Sequence, residues 1–140
     1  MPSLDTKVQT HMLSAIALAM HGKTFDWKMG NTWVSRTPDE SEPIEVRLHG
    51  HLIAMAYSKD GKLDRLCISM AGWNTNTTRA RLNYILTGLH VNFYIGRVKG
   101  ITWLHDSAHS KVHRMGASEW ITFDRKEGSW QYCAGKEQPR

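Results

Sequence analysis

Apolar residues recur at four-residue steps at the start of the chain: Leu4, Val8, Met12, Ile16 and Met20. Side chains four apart share one face of an α-helix, so this spacing predicts an amphipathic helix over residues 4–20. Leu13 and Ala17 are expected to widen the same stripe. Ser3 is placed to cap the first turn, Asp5 suits its positive end, and Gly22 is a stop signal. The apolar window from Met12 to Met20 is far shorter than the ~20 residues that cross a bilayer. It follows Asp5, Lys7 and His11 rather than a basic leader, so it reads as a core helix and not as a signal peptide.

The period then changes from four to two. After the turn signal Gly30-Asn31, residues 32–36 suit a short strand, and the acidic segment 37–43, with prolines near both ends, suits an exposed loop. Ile44, Val46 and Leu48 alternate with Glu45, Arg47 and His49, which predicts a half-buried strand. Residues 51–58 read as the next strand, with Gly50 marking a turn or a bulge between the two. Asp60-Gly61 is a two-residue hairpin signal, and Leu66, Ile68 and Met70 return facing one way.

A second helix is expected to start near Asn76 or Thr77. Residues 74–78 supply the short side-chain oxygens that satisfy free backbone N–H groups of a first turn. Leu82, Ile85, Leu86 and Leu89 form its buried side, and Gly88 lies near its end. Phe93 and Ile95, then Ile101 and Trp103, predict two strands around a Lys99-Gly100 hairpin. Tyr94 faces away from Phe93. Residues 119–125 are the last strand, and residues 129–140, polar apart from Trp130 and Tyr132, are expected to fray. The pattern as a whole is α+β: an antiparallel β-hairpin sheet packed by an N-terminal amphipathic helix and a central helix. The expected organisation is one domain over residues 1–128 and a polar C-terminal tail over residues 129–140.

Composition narrows the class. A chain of 140 residues with 41% hydrophobic and 22% charged residues can bury one real core, which excludes disorder of the whole chain. Its two cysteines, Cys67 and Cys133, are too few and too far apart for a disulfide framework or a zinc knuckle. Cys67 sits in an alternating apolar stretch and is expected to be a buried thiol in a reducing compartment.

Charge is unevenly spread. Residues 1–60 hold six Lys/Arg against seven Asp/Glu, and residues 61–140 hold twelve against six. Between Thr75 and Met115 the cations are Arg79, Arg81, Arg97, Lys99, Lys111 and Arg114, with Asp106 the one anion. Such asymmetry points to a polyanion-facing surface. Tyr94 is the candidate stacking residue, since single strands are bound by aromatic rings beside cations. At 100° per residue, Arg79 and Arg81 lie about 200° apart around the helix and do not share a face. Arg79, beside the first-turn N–H groups, is therefore the better phosphate contact of the two.

Other constellations carry less. His105, His109 and His113 would form one row on a helix and are weak metal candidates, without a middle glutamate or a fixed further ligand. His49 and His51 flank Gly50 as a hairpin corner. No cysteine, serine or acid pair has the setting of a nucleophile or of a general acid and base. The chain is read as no enzyme, with no cofactor and no bound metal.

The stretch "VRLHGHLIA", followed by a hairpin and "ISMAGWNTNTTRARLNYIL", resembles a group of small proteins of tailed bacteriophages. The shared pattern is carried here by Leu48, His49, Gly50, Ala71, Gly72, Trp73, Thr77, Thr78, Arg79, Arg81, Leu82 and Asn83. It spans about residues 44–100. The resemblance implies a virus of bacteria and a protein made in the host bacterial cytoplasm, and transfers no activity. The sequence thus leads to a non-enzymatic phage accessory protein binding nucleic acid, DNA or RNA, through the basic 75–115 region. The alternative is a host-takeover protein docking on an acidic bacterial partner. Neither involves a membrane, and a homodimer is compatible with both.

Overall fold

The computed structural model describes residues 4–22, 25–39, 41–107, 112–126 and 128–139, with the side chains of Leu4 and Phe25 excepted. Two helices and ten strands follow in the order α1 (Leu4–Met20), β1 (Phe25–Met29), β2 (Thr32–Arg36), β3 (Ile44–Leu48), β4 (His51–Lys59), β5 (Lys62–Ser69), α2 (Asn76–Gly88), β6 (Phe93–Val98), β7 (Ile101–Asp106), β8 (Val112–Arg114), β9 (Trp120–Lys126) and β10 (Ser129–Gly135). The fold is α+β, as the sequence pattern requires. Seven strands form one antiparallel sheet in the order β1-β2-β3-β4-β5-β9-β10, and β6-β7-β8 form a second.

The alternation in the sequence sets the large sheet's inner face. Register places Val34, Val46, Ala54, Ile68 and Ile121 in one row across five strands, all buried. Ile44, Ala56, Leu66 and Phe123 make the neighbouring row. Helix α1 lies on the same core through Val8, Met12, Ala15, Ile16 and Ala19. Ala17 is exposed, because it sits about 180° around the helix from Val8; the stripe widens through Ala15 and Ala19 instead. Gly22 ends α1 at φ 79°, a left-handed value that glycine adopts without a Cβ clash.

Tight hairpins pin the register. His49-Gly50, Asp60-Gly61 and Lys99-Gly100 all have positive φ at both residues, the twist-matched form of a two-residue turn. Gly50 is therefore a turn residue; the bulge in that hairpin falls at Val46/Arg47.

Helix α2 joins the two sheets. Leu82, Ile85 and Leu86 enter the core. The Asn83 amide docks on the edge of β6, donating to the Ile95 carbonyl (2.9 Å) and accepting from the Ile95 N–H (2.7 Å). It thereby satisfies backbone groups of an edge strand. Phe93 packs on Phe123 at 4.9 Å between ring centroids and meets Tyr132 edge-on at 5.7 Å, which seats the small sheet on β9 and β10. Residues Ser129–Gly135 are thus a paired strand and not a fraying tail: Trp130 and Tyr132 are half-buried against the core.

Candidate functional site

The fold does not bring all the charged residues expected to act together onto one surface: Arg79 and Arg97 lie near each other, whereas Arg81 is turned inward. Arg81 points into the interior and is 1% exposed. Its Nε donates to Thr32 Oγ1 (3.0 Å) and its Nη2 to Asn31 Oδ1 (3.3 Å), and Nη2 pairs with the Asp5 carboxylate at 2.7 Å. A guanidinium so enclosed cannot meet a phosphate at the surface, so Arg81 leaves the set of contact residues and becomes a brace between α1, β2 and α2. Its Nη1 and the nearby buried Gln9 Oε1 have no hydrogen-bond partner.

Arg79 lies in the first turn of α2 and is 9% exposed. It folds back over the helix start: Nη1 donates to the Asn74 carbonyl (3.3 Å) and Asn74 Oδ1 (2.5 Å), and Nη2 donates to Asn76 Oδ1. All three acceptors are neutral. Burial, together with the nearby Arg97 cation, lowers its pKa from the ordinary guanidinium value. Thr75 caps the helix, its Oγ1 accepting the Thr78 N–H at 3.1 Å. The threonine-rich approach read from the sequence is therefore a working cap.

The small sheet sorts the rest by strand alternation. Phe93, Ile95, Arg97, Thr102, Leu104 and His113 share the face toward the core, and Tyr94, Val98, Ile101, Trp103, His105, Val112 and Arg114 share the outer face. Arg97 and Lys99 are nonetheless exposed, at the end of β6 and in the following turn. Tyr94 is 46% exposed and lies directly across from His105, with ring centroids 4.5 Å apart and planes 2° from parallel. Gly96 gives the imidazole room: a Cβ there would lie 3.4 Å from His105 Nε2. Arg114 stands opposite Trp103. Lys111 and His109 lie outside the described residues.

The helical histidine row does not form. His105 belongs to β7 and His113 to β8, on opposite faces of the sheet, because residues 101–106 and 112–114 are strands. His113 pairs instead with Glu119 at 2.7 Å and packs on Tyr132. Among the described residues no three His, Cys, Asp or Glu side chains group as a metal site.

A second feature was not legible in the sequence. Leu48, His49, His51, Ile53, Met70, Ala71, Trp73, Thr75, Thr77 and Thr78 line a cleft of about 340 Å³ at the start of α2. Six of these belong to the pattern that carries the bacteriophage resemblance, which is the one sequence signal that joins the two halves of the cleft.

A family model described as Kyanoviridae Gp96 protein matches residues 5–127. The chain belongs to that family. Gp96 membership makes it a small phage protein, in agreement with the resemblance read from residues 44–100. No curated protein and no solved structure matches it. No helix among the described residues is long and apolar enough to cross a membrane.

Proposed function

We propose that this Gp96-family chain is a non-enzymatic phage accessory protein that binds nucleic acid, in single-stranded form, on the outer face of β6–β8. The parallel Tyr94–His105 ring pair on an exposed sheet face carries the reading. Every base has a flat face, so such rings hold unpaired bases with little regard to sequence, at about 1–3 kcal/mol per base. Trp103 and Arg114 extend that face, and Lys99, in the turn at its end, adds a cation where a strand's phosphates are neutralised. A titration with a labelled single-stranded oligonucleotide at low and moderate salt tests it. Binding that weakens steeply with salt agrees; a flat response counts against it.

Val98 and Val112 favour a second reading. They are 56% and 55% exposed on the same face, and aliphatic side chains contribute more to a protein contact than to a base. On this reading the face docks a bacterial host protein whose acidic rim meets Arg114 and Lys99. A pull-down from nuclease-treated host lysate separates the two: a stoichiometric host protein retained without nucleic acid supports docking. Either activity would take place in the host bacterial cytoplasm.

A further inference from the structure

The cleft at the start of α2 is built from two distant segments, residues 48–53 and 70–78. Leu48, Ile53 and Met70 are buried and form its apolar lining. Trp73 and His51 stand at its rim with ring centroids 5.5 Å apart and planes inclined by 40°. The two rings are splayed, not stacked on each other, and Trp73 is left 56% exposed. At about 340 Å³ the cleft is at the low end of the ~300–1,000 Å³ range of small-ligand sites, enough for one ring system and too small for a helix or a duplex.

The rim is held in place. The Trp73 N–H donates to the Met70 carbonyl (2.9 Å), the Gly72 N–H to the Ala117 carbonyl (2.8 Å), and the Ala71 N–H to Ser69 Oγ (3.0 Å). On the other side the His49 N–H donates to the Asn31 carbonyl (2.8 Å). His49 and Ala71 take φ values of 51° and 54°, in the left-handed region. An L-residue there costs about 1–2 kcal/mol, and alanine has no polar side chain to compensate it. The His49 value belongs to the tight β3–β4 turn, whereas Ala71 carries strained backbone beside Trp73, the kind of position that marks a preformed site.

The chemistry of the lining selects the ligand. Among the described residues no Lys, Arg, Asp or Glu lines the cleft, so a charged group placed inside would lose its water without gaining a counter-ion. The polar groups are imidazoles and threonine hydroxyls, which both donate and accept hydrogen bonds. An aliphatic floor, two rim rings and neutral polar edges match a planar, uncharged heteroaromatic ring. We propose that the cleft binds a nucleobase, either in a free nucleoside or unstacked from a single strand. This inference does not rest on the role of the β6–β8 face.

Adenosine and a short oligoadenylate are the probes, titrated against the whole protein by calorimetry. Trp73→Ala and His51→Ala remove exposed side chains, and their melting curves report whether the fold is kept. Each is expected to weaken adenosine binding by about fivefold or more, the lower bound for losing one base–aromatic stack. If only the oligoadenylate binds, and Trp73→Ala and His51→Ala weaken it, the base is presented by a strand. Binding by neither probe, or affinities that both rim substitutions leave untouched, overturns the assignment. Loss of oligonucleotide binding through Tyr94→Ala alone overturns it too, and leaves the sheet-face reading standing.

Discussion

Arg81 Nη2 lies 2.7 Å from the carboxylate of Asp5, joining the second turn of the central helix to the first turn of the N-terminal one. The two partners differ: Arg81 is enclosed, while the Asp5 side chain is 54% exposed. Removing either therefore has unequal effects. Arg81→Ala leaves a hole and unpaired acceptors, and is expected to destabilise by about 3–5 kcal/mol, the range for breaking a buried pair. Asp5→Ala leaves the guanidinium with Thr32 and Asn31, and is expected to lose about 1–3 kcal/mol. Urea denaturation of both variants checks the order; an Asp5 effect larger than the Arg81 effect contradicts it.

The end of α2 predicts a stabilising change. The Val91 N–H bonds the Leu86 carbonyl (2.9 Å) and the His90 N–H bonds the Thr87 carbonyl (3.2 Å), with His90 at φ 59°. This is a Schellman termination whose left-handed position holds histidine where glycine is preferred. His90→Gly is expected to raise stability by about 1 kcal/mol, set by the relief of left-handed strain, and thermal unfolding reads it as a higher Tm. An unchanged or lower Tm means that the His90 side chain has a contribution of its own.

Thiol labelling separates the two cysteines. Burial raises the Cys67 pKa, against a lowering by the Thr122 hydroxyl. Its thiolate is therefore scarcer at neutral pH than that of an ordinary cysteine, and reaction needs the thiolate. Cys133 is exposed and is expected to label first, with Cys67 labelling only on unfolding. Register puts Thr122 between the two, so their Cα atoms are about two strand spacings, ~10 Å, apart. A disulfide needs less than about 7 Å, and non-reducing electrophoresis is expected to show no internal crosslink.

Local signals in the sequence were good guides where one segment carried the whole message. The Asp60-Gly61 and Lys99-Gly100 turns, the period-two strands and the Asn/Thr approach to α2 all have their physical cause within a few residues. Three strands were missed for three reasons. β8 is three residues long, too short to show a period. β1 mixes Asp26 and Lys28 with aromatics at a sheet edge. β10 does alternate, with Trp130 and Tyr132 inward, but its polar flanks resemble a tail. The site was less legible still. Helical geometry separated Arg79 from Arg81, but only the position of α1 and β2 shows that Arg81 is wholly enclosed, and only the Asn74 and Asn76 contacts show that Arg79 is folded down onto the helix start. The cleft joins the β3–β4 turn to the segment before α2, and no local spacing encodes that meeting.

On the proposed function, the outer face of β6–β8 holds single strands through Tyr94 and His105. Fluorescence anisotropy with a labelled single-stranded oligonucleotide, run on wild type, Tyr94→Ala and Arg114→Ala across a salt series, tests it most directly. Wild type is expected to bind with an affinity that falls steeply with salt. Tyr94→Ala is expected to lose about 1–3 kcal/mol at every salt concentration, and Arg114→Ala to reduce the salt slope by about one. No binding at low salt, or full affinity in Tyr94→Ala, would contradict the account.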